Sequence, residues 1–263
     1  MLRWWMAIAT ILVGLLVWQV VLSRGRTPAT MTTAMIDSLT QVRLPGGMEN
    51  VNVQYTGFVV DFNPTTHLAN CTAYVLTQQK LSGKSGRHDK FAHDPHVSGC
   101  PTPDAYHLSG MDRGHLVPAG DMTWDEQAMA ESFLMTNVCP QHKSLNSGGW
   151  SKLEEKVREW ARRDSVLVIL AGPVPGEAID TIDASGIAVP QRYFKVIMAP
   201  KARLGIRAIG FIYDNGPCNR RLKNYAVSVD DVERLTGLDF FASLPDDLEA
   251  DIESRCNLNA WTQ

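Results

Sequence analysis

The chain opens with one unbroken apolar run and then switches between strand-like and helix-like periods. Trp4 to Leu22 is apolar except at Thr10, Gly14 and Gln19, with Arg3 before it and Arg24 and Arg26 after it. This is close to the ~20 residues that cross a bilayer and longer than the core of a usual signal peptide. It predicts an uncleaved membrane anchor, with a signal segment removed on secretion as the alternative. Arg26 to Pro45 has no periodic pattern and predicts a tether. The expected division is an anchor or signal segment over 1–25, a linker over 26–48 and a folded domain over 49–263.

Within the domain, Val51 to Tyr55 alternates as a strand does. Tyr55 to Asn63 and Cys71 to Thr77 predict a strand pair around an Asn-Pro turn. Gly83 to Cys100 is rich in Gly, Ser, His, Lys and Asp and predicts a loop. Gly110 to Pro118 and Phe133 to Val138 predict two short strands, with a helix over Thr123 to Ser132 between them. After Ser147 and two glycines, Trp150, Leu153, Val157 and Trp160 recur three or four apart, the buried stripe of a helix. Glu154 and Arg158 lie four apart on a different face. Val166 to Leu170 is a continuous apolar run and predicts a buried strand. Ile187 to Pro190, Tyr193 to Met198 and Ile206 to Tyr213 predict further strands, and Ser228 caps a helix running to Leu235. This order predicts an α+β domain with a central, mainly antiparallel sheet.

Composition changes this picture little. The 263 residues are 44% hydrophobic with a net charge of −3, which argues against a protein that coats nucleic acid by bulk positive charge. A local basic patch would serve instead. Lys152, Lys156, Arg162 and Arg163 make the predicted Trp150 helix basic. Five cysteines are present. In an exported protein Cys218 would pair with Cys256 and Cys71 with Cys100, leaving Cys139 single. A zinc site of Cys100, His107, Cys139 and His142 is a weaker reading, because the short paired knuckles of structural zinc sites are missing.

The chemistry concentrates between Asp112 and Arg163. Asp112-Arg113-Gly114-His115 is followed by Asn137-Val138-Cys139-Pro140-Gln141, then by Asn146, Leu153 and Glu154. A histidine serves as general base near neutral pH. An asparagine oxygen is a hard neutral ligand suited to Mg²⁺, and a nearby glutamate can hold one of its waters. Arginines neutralise a phosphate as it gains charge. Each residue has a duller reading when taken singly, such as a helix cap for Asn146, a surface ion pair for Glu154 and Arg158, or a turn residue for Asn137. Their occurrence together points to metal-assisted phosphodiester cleavage.

The segment resembles the active-site core of the DNA/RNA non-specific endonucleases, the endonuclease G-like group of the ββα-metal superfamily. The pattern is an Asp-Arg-Gly-His strand, an Asn-x-x-Pro-Gln strand, and a helix that opens with Asn and carries Leu-Glu. The likeness extends over about Tyr55 to Leu244. It implies a ββα-metal finger beside the sheet. It implies His115, Arg113, Asn137, Glu154 and Arg158 as catalytic residues, and Asn146 as ligand to Mg²⁺, or Mn²⁺ in its place, with Glu154 acting through water. It implies Arg87, in a loop with Phe91 and Asp94, as a substrate contact, and Asp112 as a support. The expected activity is hydrolysis of DNA and RNA with little sequence preference, leaving 5′-phosphates. The alternatives are a phosphodiesterase of a small or lipid-linked substrate and a catalytically dead nucleic-acid-binding module. A nuclease facing the cytosol would attack the cell's own nucleic acid, so the expected location is membrane-anchored with the catalytic domain outside the cytosol. The expected partners are DNA, RNA and the membrane, with a homodimer possible.

Overall fold

The computed structural model of the protein describes residues 31–174, 180–182, 185–201 and 205–262. The predicted anchor falls on residues outside these. Among the described residues no helix is long and apolar enough to cross a membrane.

Seven strands form one antiparallel sheet. In their order across it they are β1 (Val51–Gln54), β2 (Val59–Asn63), β3 (Leu68–Thr77), β6 (Val166–Val174), β9 (Arg192–Ala199), β10 (Arg207–Asp214) and β11 (Ala226–Val227). β7 (Asp180–Ile182) pairs separately with β8 (Ile187–Val189). β3, β6 and β9 are central and almost wholly buried. Both faces of the sheet are therefore covered, which is why Val166 to Leu170 reads as a continuous apolar run instead of an alternating one. One face carries Leu167, Ile169, Ile197 and Phe211 in the main core. On the other face Phe194 packs against Phe240, ring centroids 5.6 Å apart.

The finger consists of β4 (Asp112–His115) and β5 (Val138–Gln141), paired antiparallel with His115 opposite Val138 and Arg113 opposite Pro140. β5 lies several residues later than the pattern predicts, because Met135–Asn137 forms a 3-10 turn instead of strand. Pro140 sits within β5, opposite Arg113. In a two-stranded ladder each strand has a free edge, where a missing N–H is tolerated. Its carbonyl accepts from the Tyr193 hydroxyl at 2.6 Å and from Asn215 Nδ2 at 3.0 Å, which fastens the finger to the sheet. Gly114 faces the side chain of Gln141 so closely that any Cβ there would overlap it. A side chain between Arg113 and His115 would push Gln141 from its buried position.

A π-helical turn, Leu145–Trp150, leads into the long helix Ser151–Asp164. Leu153, Val157 and Trp160 are buried along it as the spacing predicts. Trp150 donates from Nε1 to the His115 carbonyl at 3.1 Å and packs edge-on against Tyr193 and Tyr213. It therefore locks the start of the helix to the end of β4. Part of the expected linker belongs to the fold: Thr33–Ser38 is helical, Leu39 is fully buried, and Arg43 bridges to Asp239.

Candidate active site

β4, the π-helical turn and one face of the long helix enclose a cleft of about 770 Å³. Six of the seven predicted site residues line it: Arg87, Arg113, His115, Asn146, Glu154 and Arg158. Arg113 and His115 share a face of β4 because side chains two apart point the same way. Glu154 and Arg158 share a helix face one turn apart.

His115 is held between two phenylalanines. Its ring centroid lies 5.1 Å from Phe91 and 4.8 Å from Phe133, the latter edge-on. Phe91 reaches it because the loop is tied down: Ala92 N donates to the Phe133 carbonyl and Met135 N to the Ala92 carbonyl. His115 Nε2 has no hydrogen-bond partner. Burial, helped by the Arg87 charge, pushes its pKa down to about 4. The ring is then neutral at pH 7 with a nitrogen free to take a proton. Arg113 stacks its guanidinium 4.6 Å from the Phe91 ring centroid. Arg87 lies 5.2 Å over Phe133 and pairs with Asp89 on the exposed rim.

Behind Glu154 and Arg158 lies a buried charge network. Arg158 donates to Asp121 at 3.0 Å, and the Tyr74 hydroxyl donates to the same carboxylate at 2.7 Å. Lys195, wholly buried on β9, places Nζ 3.3 Å from the Leu116 carbonyl and 4.5 Å from the Trp150 ring centroid. Burial pushes the Glu154 carboxyl up and the Lys195 ammonium down, and the attraction between the two opposes both shifts. Sequence reasoning missed Asp121, Lys195 and Tyr74. The available signal was a lysine inside the apolar run Tyr193 to Met198, since lysine is almost never buried unless partnered.

Asn137 is not brought to the cleft. It is fully buried. Its Oδ1 accepts from Val117 N at 2.9 Å, and its Nδ2 donates to the carbonyls of Val117 at 2.9 Å and Ser132 at 2.8 Å. With every polar atom engaged by backbone, it braces the chain just after His115. Asn137→Ala should lower stability by about 2–5 kcal/mol, because it orphans several buried backbone groups at 1–3 kcal/mol each. Urea unfolding checks this. An unchanged midpoint would return Asn137 to a role in chemistry.

The donor set fits the metal the sequence implies. Asn146 Nδ2 donates to Asp112 at 3.0 Å, which turns its oxygen away from Asp112 and leaves it available to a cation. Glu154 lines the same cleft. Among the described residues, no three His, Cys, Asp or Glu side chains converge in the cleft, so a bound cation would rely on the amide oxygen and water. Hard oxygen donors with few protein ligands suit Mg²⁺. The zinc alternative does not form: Cys100 Sγ accepts from Asp94 N, and His142 Nδ1 accepts from Ser144 N. The expected disulfides are absent too, all five cysteines being thiols. Cys218 Sγ instead meets the Tyr225 hydroxyl at 3.1 Å.

A strand pair and helix enclosing a histidine, an asparagine and arginines define the ββα-metal class. The DNA/RNA non-specific endonuclease family model matches residues 37–247, and the chain belongs to that family. The mitochondrial nuclease EXOG of Danio rerio is 35% identical over 207 residues, covering 72% of this chain and 60% of that protein. A nuclease of a Nostoc strain is 32% identical over 210 residues, covering 75% and 76%. The chain thus spans about 60% of the length of the vertebrate relatives. The crystal structure of the EndoG/EndoGI complex shares the fold, with a TM-score of 0.71, 22% identity, and coverage of 82% of this chain and 95% of that one.

These relatives correct the expected location. The Danio rerio, Homo sapiens and Schizosaccharomyces pombe proteins are all named mitochondrial nucleases. An intracellular compartment therefore accommodates this family, and the premise that such a nuclease must face outward fails. The anchored, outward-facing placement and its secreted alternative do not stand.

Proposed function

We propose that the chain is a metal-dependent endonuclease that hydrolyses phosphodiester bonds in DNA and RNA with little sequence preference. The observation that carries this reading is His115 Nε2: unpartnered, neutral at pH 7, and set in a cleft with three arginines, Asn146 and Glu154. Mg²⁺, or Mn²⁺ in its place, would be held by the Asn146 oxygen and through water by Glu154, and would supply positive charge to the phosphate as its negative charge grows. Arg113 and Arg87 enter from the rim and fix the phosphate. His115 takes the proton from the attacking water. Arg158, aligned by Asp121, adds charge where the transition state needs it. Phe91 and Phe133 keep bulk water from the imidazole and hold its plane. Cleavage on this pattern leaves 5′-phosphates. The cleft offers charge to phosphate, and such contacts carry little sequence information.

A comparison of plasmid DNA, RNA and a small chromogenic phosphodiester tests the substrate class. Both polymers should be cut, each faster than the small diester. Turnover of the small diester alone would overturn the reading in favour of a phosphodiesterase.

A further inference from the structure

Away from the cleft, three carboxylates converge where two C-terminal helices meet. Asp230 and Glu233 stand one turn apart on the helix Val229–Thr236, and Glu253 ends the helix Asp246–Glu253. One oxygen from each lies within 4.8 Å of the others. Glu253 is only 4% exposed, yet its Oε1 has no hydrogen-bond partner. A buried carboxylate oxygen left unpaired is costly. The cost rises at a helix C-terminus, where the dipole disfavours negative charge, and this helix has no basic residue in its last turn.

Two arginines of this region are committed to other carboxylates. Arg43 pairs with Asp239 and Arg234 with Asp231, while Asp239 and Glu249 add further negative charge. Burial and these neighbours raise Glu253 to about 9 and Glu233 to about 7. Glu233 Oε1 already accepts from Phe240 N at 2.8 Å.

We propose that Asp230, Glu233 and Glu253 form a divalent-cation site, separate from the cleft, that takes Ca²⁺ and ties the two helices together. Two oxygens on one Ca²⁺ at ~2.4 Å can be at most ~4.8 Å apart, and the three donors fall within that limit. All are hard oxygens, which excludes a thiophilic metal. Three carboxylates suit Ca²⁺, with its six to eight flexible oxygen ligands, better than Mg²⁺, which holds its own waters.

Thermal unfolding of the chelator-treated full chain, titrated with Ca²⁺ near neutral pH, tests this. A ligand that binds only the folded state raises the melting temperature with concentration. The rise should appear in the wild type and equally in Asn146→Ala, which removes the expected cleft ligand. It should vanish in Glu253→Gln and in Asp230→Asn. Asp230→Asn should also melt higher than the wild type in chelator, since it removes a charge that repels its acidic neighbours. If Glu253→Gln does not fold, Asp230→Asn decides alone. No Ca²⁺ response in the wild type would overturn the site, as would a response kept in Asp230→Asn. A response lost in Asn146→Ala would overturn it too, because the ion would then lie in the cleft.

Discussion

His115→Ala is expected to cut turnover by about 10²–10⁴-fold, the usual contribution of a positioned general base. The fold should survive, because Nε2 makes no bond in the folded protein and the backbone carbonyl that receives Trp150 is kept. Circular dichroism and single-turnover cleavage separate the two effects. The pH dependence has a definite sign. Neutral imidazole is the active form, and burial holds its pKa at about 4. Activity that depends on this group is therefore present through neutral pH and is lost as pH falls through about 4. The acid limb of kcat/KM reports that ionisation in the free enzyme. Near-normal turnover in the alanine variant would remove His115 from the role of base.

Asn146→Ala is expected to cut the rate by more than 100-fold at limiting Mg²⁺ and to raise the Mg²⁺ concentration required. It deletes the side-chain oxygen proposed to hold the ion. Asp112→Ala should reproduce part of the loss, about 10–100-fold in metal affinity, because Asp112 acts by orienting the Asn146 amide. Asn146→Asp should keep some activity through its charged oxygen. That charge would stand beside the Asp112 carboxylate, so the gain is offset by repulsion. Glu154→Ala should cost less than Asn146→Ala, since Glu154 acts through water. A Mg²⁺ titration of cleavage for the four variants gives this order. Normal cleavage by Asn146→Ala at low Mg²⁺ would contradict it.

Much of the fold was legible because each strand and helix announces its own period. The stripe Trp150, Leu153, Val157 and Trp160 is buried as its spacing requires, and Glu154 with Arg158 faces the cleft. The second finger strand was misplaced because Phe133 to Val138 has a strand-like composition. The Asn137 side chain instead satisfies the backbone of a turn there, a tertiary bond that no local pattern reports. For the same reason the bracing bonds of Asn137 are invisible in the sequence. Lys195 and Asp121 come from β9 and the turn after β4. Only the sheet topology brings them under Glu154 and Arg158, so their role could not be read from spacing. The disulfides rest on an expected export that the spacing of the cysteines does not itself support, and the five cysteines stand as thiols.

The most direct measurement is cleavage of supercoiled plasmid by the full chain with and without Mg²⁺. The account predicts open-circular and then linear product, stopped at once by chelator and restored by added Mg²⁺ or Mn²⁺ without refolding, with His115→Ala inert under the same conditions. Plasmid that stays supercoiled with folded, Mg²⁺-supplied protein, or cleavage that His115→Ala performs as well as the wild type, would contradict it.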